Sequence, residues 1–375
     1  MKKILIVTDF YKPHISGITS FIESISKIYV KNRVRIIILT ACHDLKLKRI
    51  ERINRTIVIR SKIFLKISRG HYSFSLIKDF LFLSKRVDII NFHFPLAEIF
   101  PLCLLTKKTK ITNYHCLPPR IGINFQSIFN IYFSIVSILS LWMSDKIIVF
   151  SNDYFSSIPF SNYFRNKVYE IPPAVKQRIN IKVNENVLRN NEIPIIGFLG
   201  RMCAEKGLKD LIKSSKVLKE NNFNHNLLIA GDLDDKRFKK YILHIKKLAK
   251  GNSNIKFLGF LNEKEKNNFF SKINILILPS INSYEAFGIV QLEAMSYGKL
   301  VIASDLKGVR IPVNLTNNGL IIKDINSQQI AKKIIECTEL AKIKTKKEVI
   351  DSLSIYFNEL SFEKNYLNLI NFKIT

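Results

Sequence analysis

The stretch "IIGFLGRMCAEKGLKDLIKSSKVL", residues 195–218, carries the deciding pattern. A β-type run ends at Gly200, Arg201 follows at once, and Lys206 and Gly207 open a helical stretch. Leu208, Leu211, Ile212 and Leu218 give that stretch one apolar face. A strand leading straight into an amphipathic helix is half of a βαβ unit. The same alternation runs outward in both directions. Strand candidates upstream are Lys3–Thr8, Val34–Thr40, Asp88–Asn91, Lys110–Tyr114 and Lys146–Phe150. A second series comprises Pro194–Leu199, Asn226–Ala230, Asn254–Leu258, Asn274–Leu278 and Leu300–Ala303. Helical stretches separate nearly all of them. This order predicts an α/β fold of parallel sheets covered on both faces.

Between the two series lies "IPPAVKQRINIKVNENVLRNNEIP", polar, rich in Asn and bounded by prolines. It reads as a linker. The expected organisation is a Rossmann-like domain over residues 1–171, a linker over 172–193, a second such domain over 194–355, and a C-terminal helical segment over 356–375. In that segment Phe362, Tyr366, Leu367, Leu369 and Ile370 share one apolar face, which is expected to pack back on the first domain. Ligands of doubly wound sheets bind beyond the carboxyl ends of the strands. With two such domains, the expected site is the cleft between them.

Composition sets limits. Hydrophobic residues make up 47% of the 375-residue chain, enough for a core in each domain. Five cysteines (Cys42, Cys103, Cys116, Cys203 and Cys337) form no CxxC pair, which fits a reducing cytoplasm. The opening "MKKILIVTDFY" is too short in its apolar run for a secretory leader. The formal net charge is +29. Residues 46–69 hold nine basic residues against one acidic residue, Glu51, with Ile, Leu and Phe between them. That mixture suits an anionic membrane surface. Nucleic acid is the competing partner, but zinc-finger spacing, an RNP-like aromatic motif and a basic heptad region are all missing. Residues 123–143 carry no charge. Polar Asn124, Gln126, Ser127, Asn130, Ser134, Ser137 and Ser140 make that segment read as a buried or membrane-surface helix rather than a span.

Two places concentrate chemistry. Arg201 and Lys206 stand at a strand end and a helix start, where two cations and a helix N-terminus can hold a diphosphate. Glu205 is a possible ion-pair partner for either cation. The second place is "SYEAFGIVQLEAMSYGK", residues 283–299. Here a helix is expected from about Ala286 to Tyr297, with Gly298 beyond it. Glu285 then sits at the helix entrance, and Glu293 lies two turns on, roughly 12 Å along the axis at ~1.5 Å per residue. A helix N-terminus favours a carboxylate at 285 for purely local reasons. Glu293 has apolar neighbours Leu292, Ala294 and Met295, so it needs a protein cation or a ligand hydroxyl. Carboxylates this far apart cannot share a metal or a proton. They can accept hydrogen bonds from opposite ends of a polyhydroxylated ligand.

The series "GR…EKG", "EAFGIVQLEAM" and "GKLVIASD" resembles the retaining glycosyltransferases of family 4, with the GT-B fold and an E-x7-E signature. The stretches "KILIVTDFYKPHISGIT", "ITNYHCLPP", "IIVFSNDYFSSIPF", "KVYEIPPAV", "LLIAGD" and "NIKFLGFLNEKE" agree in the same order over nearly the whole chain. "NFHFPLAEIF" and "DLKGVRIPVN" resemble members that transfer mannose or similar hexoses in bacterial surface-polysaccharide assembly. The resemblance implies a UDP- or GDP-sugar donor bound by the second domain, a glycan or lipid-linked acceptor bound by the first, and neither metal nor cofactor. Arg201 and Lys206 would neutralise the donor diphosphate, Glu293 would bind the ribose hydroxyls, and Glu285 would contact the transferred sugar. Backbone N–H groups of Phe287, Gly288 and Ile289 would line the sugar and phosphate. Gly17 would let backbone approach phosphate, although Ser16–Gly17 stands where the family usually shows two glycines. His115 would point toward the transferred sugar, with His93 ranked below it. Contacts to the base would lie near Phe260 and Leu261. Asp232, Asp234 and Asp235 read as loop and helix-start residues rather than a metal motif. The implied setting is cytoplasmic and peripheral at the inner face of the membrane, with no nucleic-acid partner. A GT-B-like nucleotide-sugar epimerase and a basic nucleic-acid-binding protein are the alternative readings.

Overall fold

The computed structural model describes residues 2–14, 16–67, 70–116, 125–176 and 184–370. The chain divides into unit 1, residues 1–173 with 360–375, and unit 2, residues 174–359.

Unit 1 holds β1 (Lys3–Thr8), β2 (Arg35–Ala41), β3 (Ile50–Ile53), β4 (Thr56–Ser61), β5 (Leu65–Ile67), β6 (Gly70–Tyr72), β7 (Ile89–Phe94), β8 (Thr109–Tyr114), β9 (Lys146–Val149) and β10 (Val168–Glu170). Eight of these form one sheet in the order β10-β9-β8-β7-β1-β2-β4-β3. Every pairing is parallel except β3 with β4. The central strand is apolar on both faces, with Ile4, Leu5, Ile6 and Val7 at 0% exposure, as helices on both sides require. The helix Glu359–Leu369 belongs to this unit through residues 360–369. It buries Phe362, Tyr366, Leu367 and Leu369, and the Tyr366 hydroxyl donates to Asn113 Oδ1 at 2.7 Å.

The basic segment 46–69 contains three short strands among its described residues. Its described part includes β3 and β4, joined by Asn54 and Arg55 at φ 48° and 65°. That pair of left-handed residues makes a tight hairpin. Alternation along β4 turns Thr56, Val58 and Arg60 inward, and Arg60 is 2% exposed. A guanidinium at that depth must be paired. Its Nη1 donates to Lys48 O at 3.0 Å and stands 2.8 Å from Glu51 Oε2, while Nη2 donates to Lys12 O at 2.8 Å. Arg49 is taken up by Asp79 at 3.0 Å. Residues 68 and 69 lie outside the described residues.

The uncharged segment 123–143 contains the helix Phe125–Met143; residues 123 and 124 lie outside the described residues. Serines share its buried face with Val136 and Leu141. Ser137 and Ser140 are buried and donate to Ser134 O and Val136 O. Ile131, Ile135, Leu139 and Trp142 are exposed. Among the described residues no helix is long and apolar enough to cross a membrane.

Unit 2 holds β11 (Ile195–Leu199), β12 (Asn226–Ala230), β13 (Ile255–Gly259), β14 (Ile275–Leu278), β15 (Leu300–Ser304) and β16 (Gly319–Ile322). They form an all-parallel sheet in the order β13-β12-β11-β14-β15-β16. Helix Leu208–Glu220 buries Leu208, Leu211, Ile212 and Leu218, the face its sequence marks. Part of the stretch read as linker packs into this unit. Val187 and Leu188 are buried, their N–H groups donate to Lys344 O and Ala341 O, and Glu185 pairs with Lys346.

Candidate functional site

In unit 2 the strand order reverses between β11 and β14. Helices leave the carboxyl ends of these neighbours toward opposite faces, which opens a crevice there. Arg201 and Lys206 follow β11, and Glu285 follows β14. Lys206 closes a short 3-10 turn, Ala204–Lys206, and Gly207 then takes φ +68° before helix Leu208–Glu220. A Cβ at position 207 would stand 2.0 Å from the carbonyl oxygen of Pro279. Glycine therefore lets the loop after β11 lie directly on the loop after β14. The Ile281 N–H donates to Glu205 O at 2.9 Å across the same contact.

This contact joins Lys206 Nζ to Glu285 Oε2 in an ion pair whose side chains are 14% and 16% exposed. Ser280 Oγ donates to the same carboxyl oxygen at 3.4 Å. Arg201, further out, stands 3.6 Å from Glu205 Oε2. The sequence offered Glu205 as a partner for either cation; the structure gives it Arg201. The pairing of Lys206 with Glu285 had no sequence signal, since 79 positions separate them.

The helix after Glu285 is shorter than its sequence reading. It runs Ile289–Ser296, not from Ala286, because Gly288 takes φ +74° and interrupts helical backbone. Glu285 thus lies in the loop and is no first-turn charge. The 12 Å helical spacing to Glu293 fails with it. Glu293 is the fifth residue of the helix, and its Oε1 stands 3.0 Å from Lys266 Nζ. Lys266 also reaches Glu263 at 3.0 Å. The partner that Glu293 required is therefore a lysine on the helix Glu263–Lys272. Phe287 turns its ring into the core at 2% exposure. Ile289 is the first helical residue, so its N–H belongs to the turn that intrahelical bonding leaves over. A recess of about 550 Å³ borders the loop after β11, lined by Cys203, Glu205, Arg237, Phe238 and Tyr241 among others.

In unit 1, Gly17 opens the helix Gly17–Lys31, and Ser16 caps it. The Ser16 hydroxyl accepts from Thr19 N at 3.2 Å, and Thr19 Oγ1 accepts from Ser16 N at 2.8 Å. Ser16 is extended, with φ −155°, so serine in place of a glycine brings no strain. His115 lies just past β8 and is 5% exposed. Its Nε2 is 2.8 Å from His93 Nδ1, and its ring contacts Phe21 and Phe150. Burial holds His115 down to about 3 and His93 well below the usual imidazole range, so both are neutral at pH 7. Asp235 caps the short turn Lys236–Phe238, and Asp232 Oδ1 accepts from Asp234 N, the loop roles their sequence indicates. Among the described residues no group of three or more His, Cys, Asp or Glu side chains is placed to hold a metal.

The loops after β11 and β14 present two cations, Arg201 and Lys206, with one carboxylate, Glu285, while Glu293 lies in the helix that follows, against Lys266. Such a set can counter a pyrophosphate and accept hydroxyl hydrogen bonds. Residues 181–352 match a family profile described as "Glycosyl transferases group 1". WbpZ, a D-rhamnosyltransferase of Pseudomonas aeruginosa, is 26% identical over 71% of this chain and 68% of its own. An uncharacterized glycosyltransferase of Methanocaldococcus jannaschii, MJ1607, is 28% identical over 44% of this chain, but only 40% of that relative's length is spanned. CapM, a capsular polysaccharide biosynthesis glycosyltransferase of Staphylococcus aureus, is 26% identical over 38% of this chain and 36% of its own length. In fold, HepE of Anabaena, solved in complex with UDP and glucose, superposes with TM-score 0.75 at 15% identity, covering 99% of this chain and 100% of that one.

The α/β architecture with two Rossmann-like units is that of the GT-B fold.

Proposed function

We propose that this GT-B chain is a retaining glycosyltransferase of family 4. It moves a hexose, with mannose the leading candidate, from a nucleoside-diphosphate sugar to a carbohydrate or lipid-linked glycan in surface-polysaccharide assembly. The observation that carries the reading is the Lys206–Glu285 pair at the β11/β14 reversal. A bound donor would separate the pair's duties. Lys206 and Arg201 would turn to the pyrophosphate, and Glu285 would accept from hydroxyls of the hexose. Glu293 would do the same for the ribose. The bond from the anomeric carbon to the diphosphate oxygen breaks while the acceptor oxygen bonds to that carbon on the same face. The acceptor proton passes to the leaving phosphate, so no protein nucleophile takes part.

The ion pairs Lys206–Glu285 and Lys266–Glu293 support this reading, because each preorganises a charge that the donor needs. HepE, solved with UDP and glucose, supports a nucleotide-sugar donor, and CapM supports the polysaccharide setting. Peripheral attachment to an anionic membrane is part of the proposal. It draws on the net charge of +29 and on exposed Ile131, Ile135, Leu139 and Trp142.

The test is a thermal-shift screen of UDP- and GDP-sugars, followed by donor turnover in Arg201→Ala and Glu285→Ala. A ligand that binds the native state raises its melting temperature. The expected outcome is a shift with one donor and loss of about 100-fold or more in turnover for either variant. Full activity in both variants would refute the assignment. Acceptor-independent isomerisation of the donor would replace it with an epimerase.

A further inference from the structure

Buried side chains hold the loop after β14 at both ends. At its entrance Ser304, the last residue of β15 and 1% exposed, donates from Oγ to Ser280 O at 2.6 Å. Ser280 Oγ in turn reaches Glu285 Oε2. At its exit stands Gln291, the third residue of the helix Ile289–Ser296, at 0% exposure. Its Nε2 donates to Phe287 O and to Val309 O, each at 2.9 Å. Val309 belongs to the loop after β15, ahead of the helix Ile311–Thr316. One amide therefore joins the loops beyond the carboxyl ends of two neighbouring strands.

That amide can face only one way. Turned over, its oxygen would meet two carbonyl oxygens, acceptor against acceptor. In the orientation it takes, Oε1 is buried with no hydrogen-bond partner among the described residues. A buried oxygen without a donor is costly, and the cost offsets what the two N–H bonds return. What the residue contributes is placement of backbone more than stability. Gly288 makes room for it, since a Cβ there would stand 2.7 Å from Nε2.

We infer that Gln291 is a positioning residue for the reaction. Its two donors set the turn Phe287–Ile289, and with it the loop that carries Glu285, against the loop after β15. The sugar-diphosphate end of the donor then meets a preformed wall. This rests on the glycosyltransferase reading and adds to it a buried residue that touches no substrate. The ribose end is held separately, by Glu293 against Lys266 on the helix Glu263–Lys272. Loss of the amide should therefore be felt at one end of the donor only.

The experiment uses the full chain, the donor found in the thermal-shift screen, and the nucleoside 5′-monophosphate of the same base as a competitive probe. Gln291→Met keeps the length and removes both N–H groups. It is expected to lower donor kcat/KM about ten- to hundred-fold, while the inhibition constant of the monophosphate stays unchanged. Gln291→His offers one N–H at the same reach and should fall between, and it replaces the Met variant if that one does not fold. Asn318→Leu is the control: Asn318 is 0% exposed just before β16, at the opposite edge of the sheet, and its Nδ2 also donates twice, to Val349 O at 2.9 Å and Ser352 Oγ at 2.8 Å. Its loss should lower the urea midpoint and leave donor kcat/KM unchanged. Unchanged kcat/KM in the Gln291 variants overturns the inference and leaves the donor reading intact. Equal losses for donor and monophosphate, or an equal loss in Asn318→Leu, also overturn it, since they mark a general structural role. If the unaltered chain turns over no nucleotide-sugar, the functional reading falls and this inference with it.

Discussion

Gly207→Ala tests the geometry on which the donor site depends. The residue takes φ +68°, and an added Cβ would meet Pro279 O at 2.0 Å. Holding alanine in left-handed backbone costs ~1–2 kcal/mol. Relieving a clash with a backbone carbonyl moves two loops apart, at ~1–3 kcal/mol by analogy with overpacked cores. The Ile281 N–H bond to Glu205 O spans the same contact, and its loss adds ~1 kcal/mol. The total is about 3–6 kcal/mol. Gly251 supplies the control, since it takes φ +82° with nothing within 4 Å of an added Cβ. Gly251→Ala should cost only the left-handed term, ~1–2 kcal/mol. The assay is urea unfolding of both variants by far-UV circular dichroism, with donor-induced thermal shifts alongside. At an m-value of ~2–3 kcal/mol/M the two midpoints should differ by about 1 M. Gly207→Ala should also lose the donor shift, because Lys206 and Glu285 separate. Equal midpoints for the two variants would refute the close approach of the two loops.

Tyr366→Phe removes the donor to buried Asn113 Oδ1 and should cost ~1–3 kcal/mol in urea unfolding; no change would mean that the closing helix contributes little to unit 1. Burial raises the Glu98 carboxyl from 4.5 to about 7. The folded chain then keeps a proton that the unfolded chain releases, so stability falls as pH rises from about 4.5 to about 7. Glu98→Gln should flatten that slope and stabilise the chain at pH 8 by about 3 kcal/mol, read from unfolding at several pH values. Lys299 has the opposite sign of titration: burial lowers it from 10.5 to about 8, so the unfolded chain binds the extra proton and stability rises across that window. Lys299→Met should abolish the rise, and persistence of the slope would show that other groups cause it.

Much of the fold was written in local periodicity. The βα alternation, the buried face of Leu208–Leu218 and the apolar face of the closing helix depend only on spacing along the chain. The strand candidates fall on ten of the described strands, within a few residues at the ends. Glycine also left a local trace, since Lys206–Gly207 marks a strand-to-helix turn. Helix length after Glu285 did not follow, because Gly288 is held in left-handed backbone beside Leu278 and Gln291, contacts that spacing cannot show. The strands inside 46–69 were masked by charge. One of those charges, Arg60, is buried and paired, so composition misreported which face it occupies.

By itself, then, the sequence determined the layered α/β architecture and named Arg201, Lys206, Glu285 and Glu293 as the charged groups worth watching. Only the tertiary structure decided their partners: Lys206 with Glu285, Arg201 with Glu205, Glu293 with Lys266. It also set His71, inside β6, against Asp9, just past β1. The physical reason is range. Secondary structure follows from neighbours a few residues apart, whereas ion pairs form where strand order brings distant loops together, and that order is fixed by packing of the whole sheet.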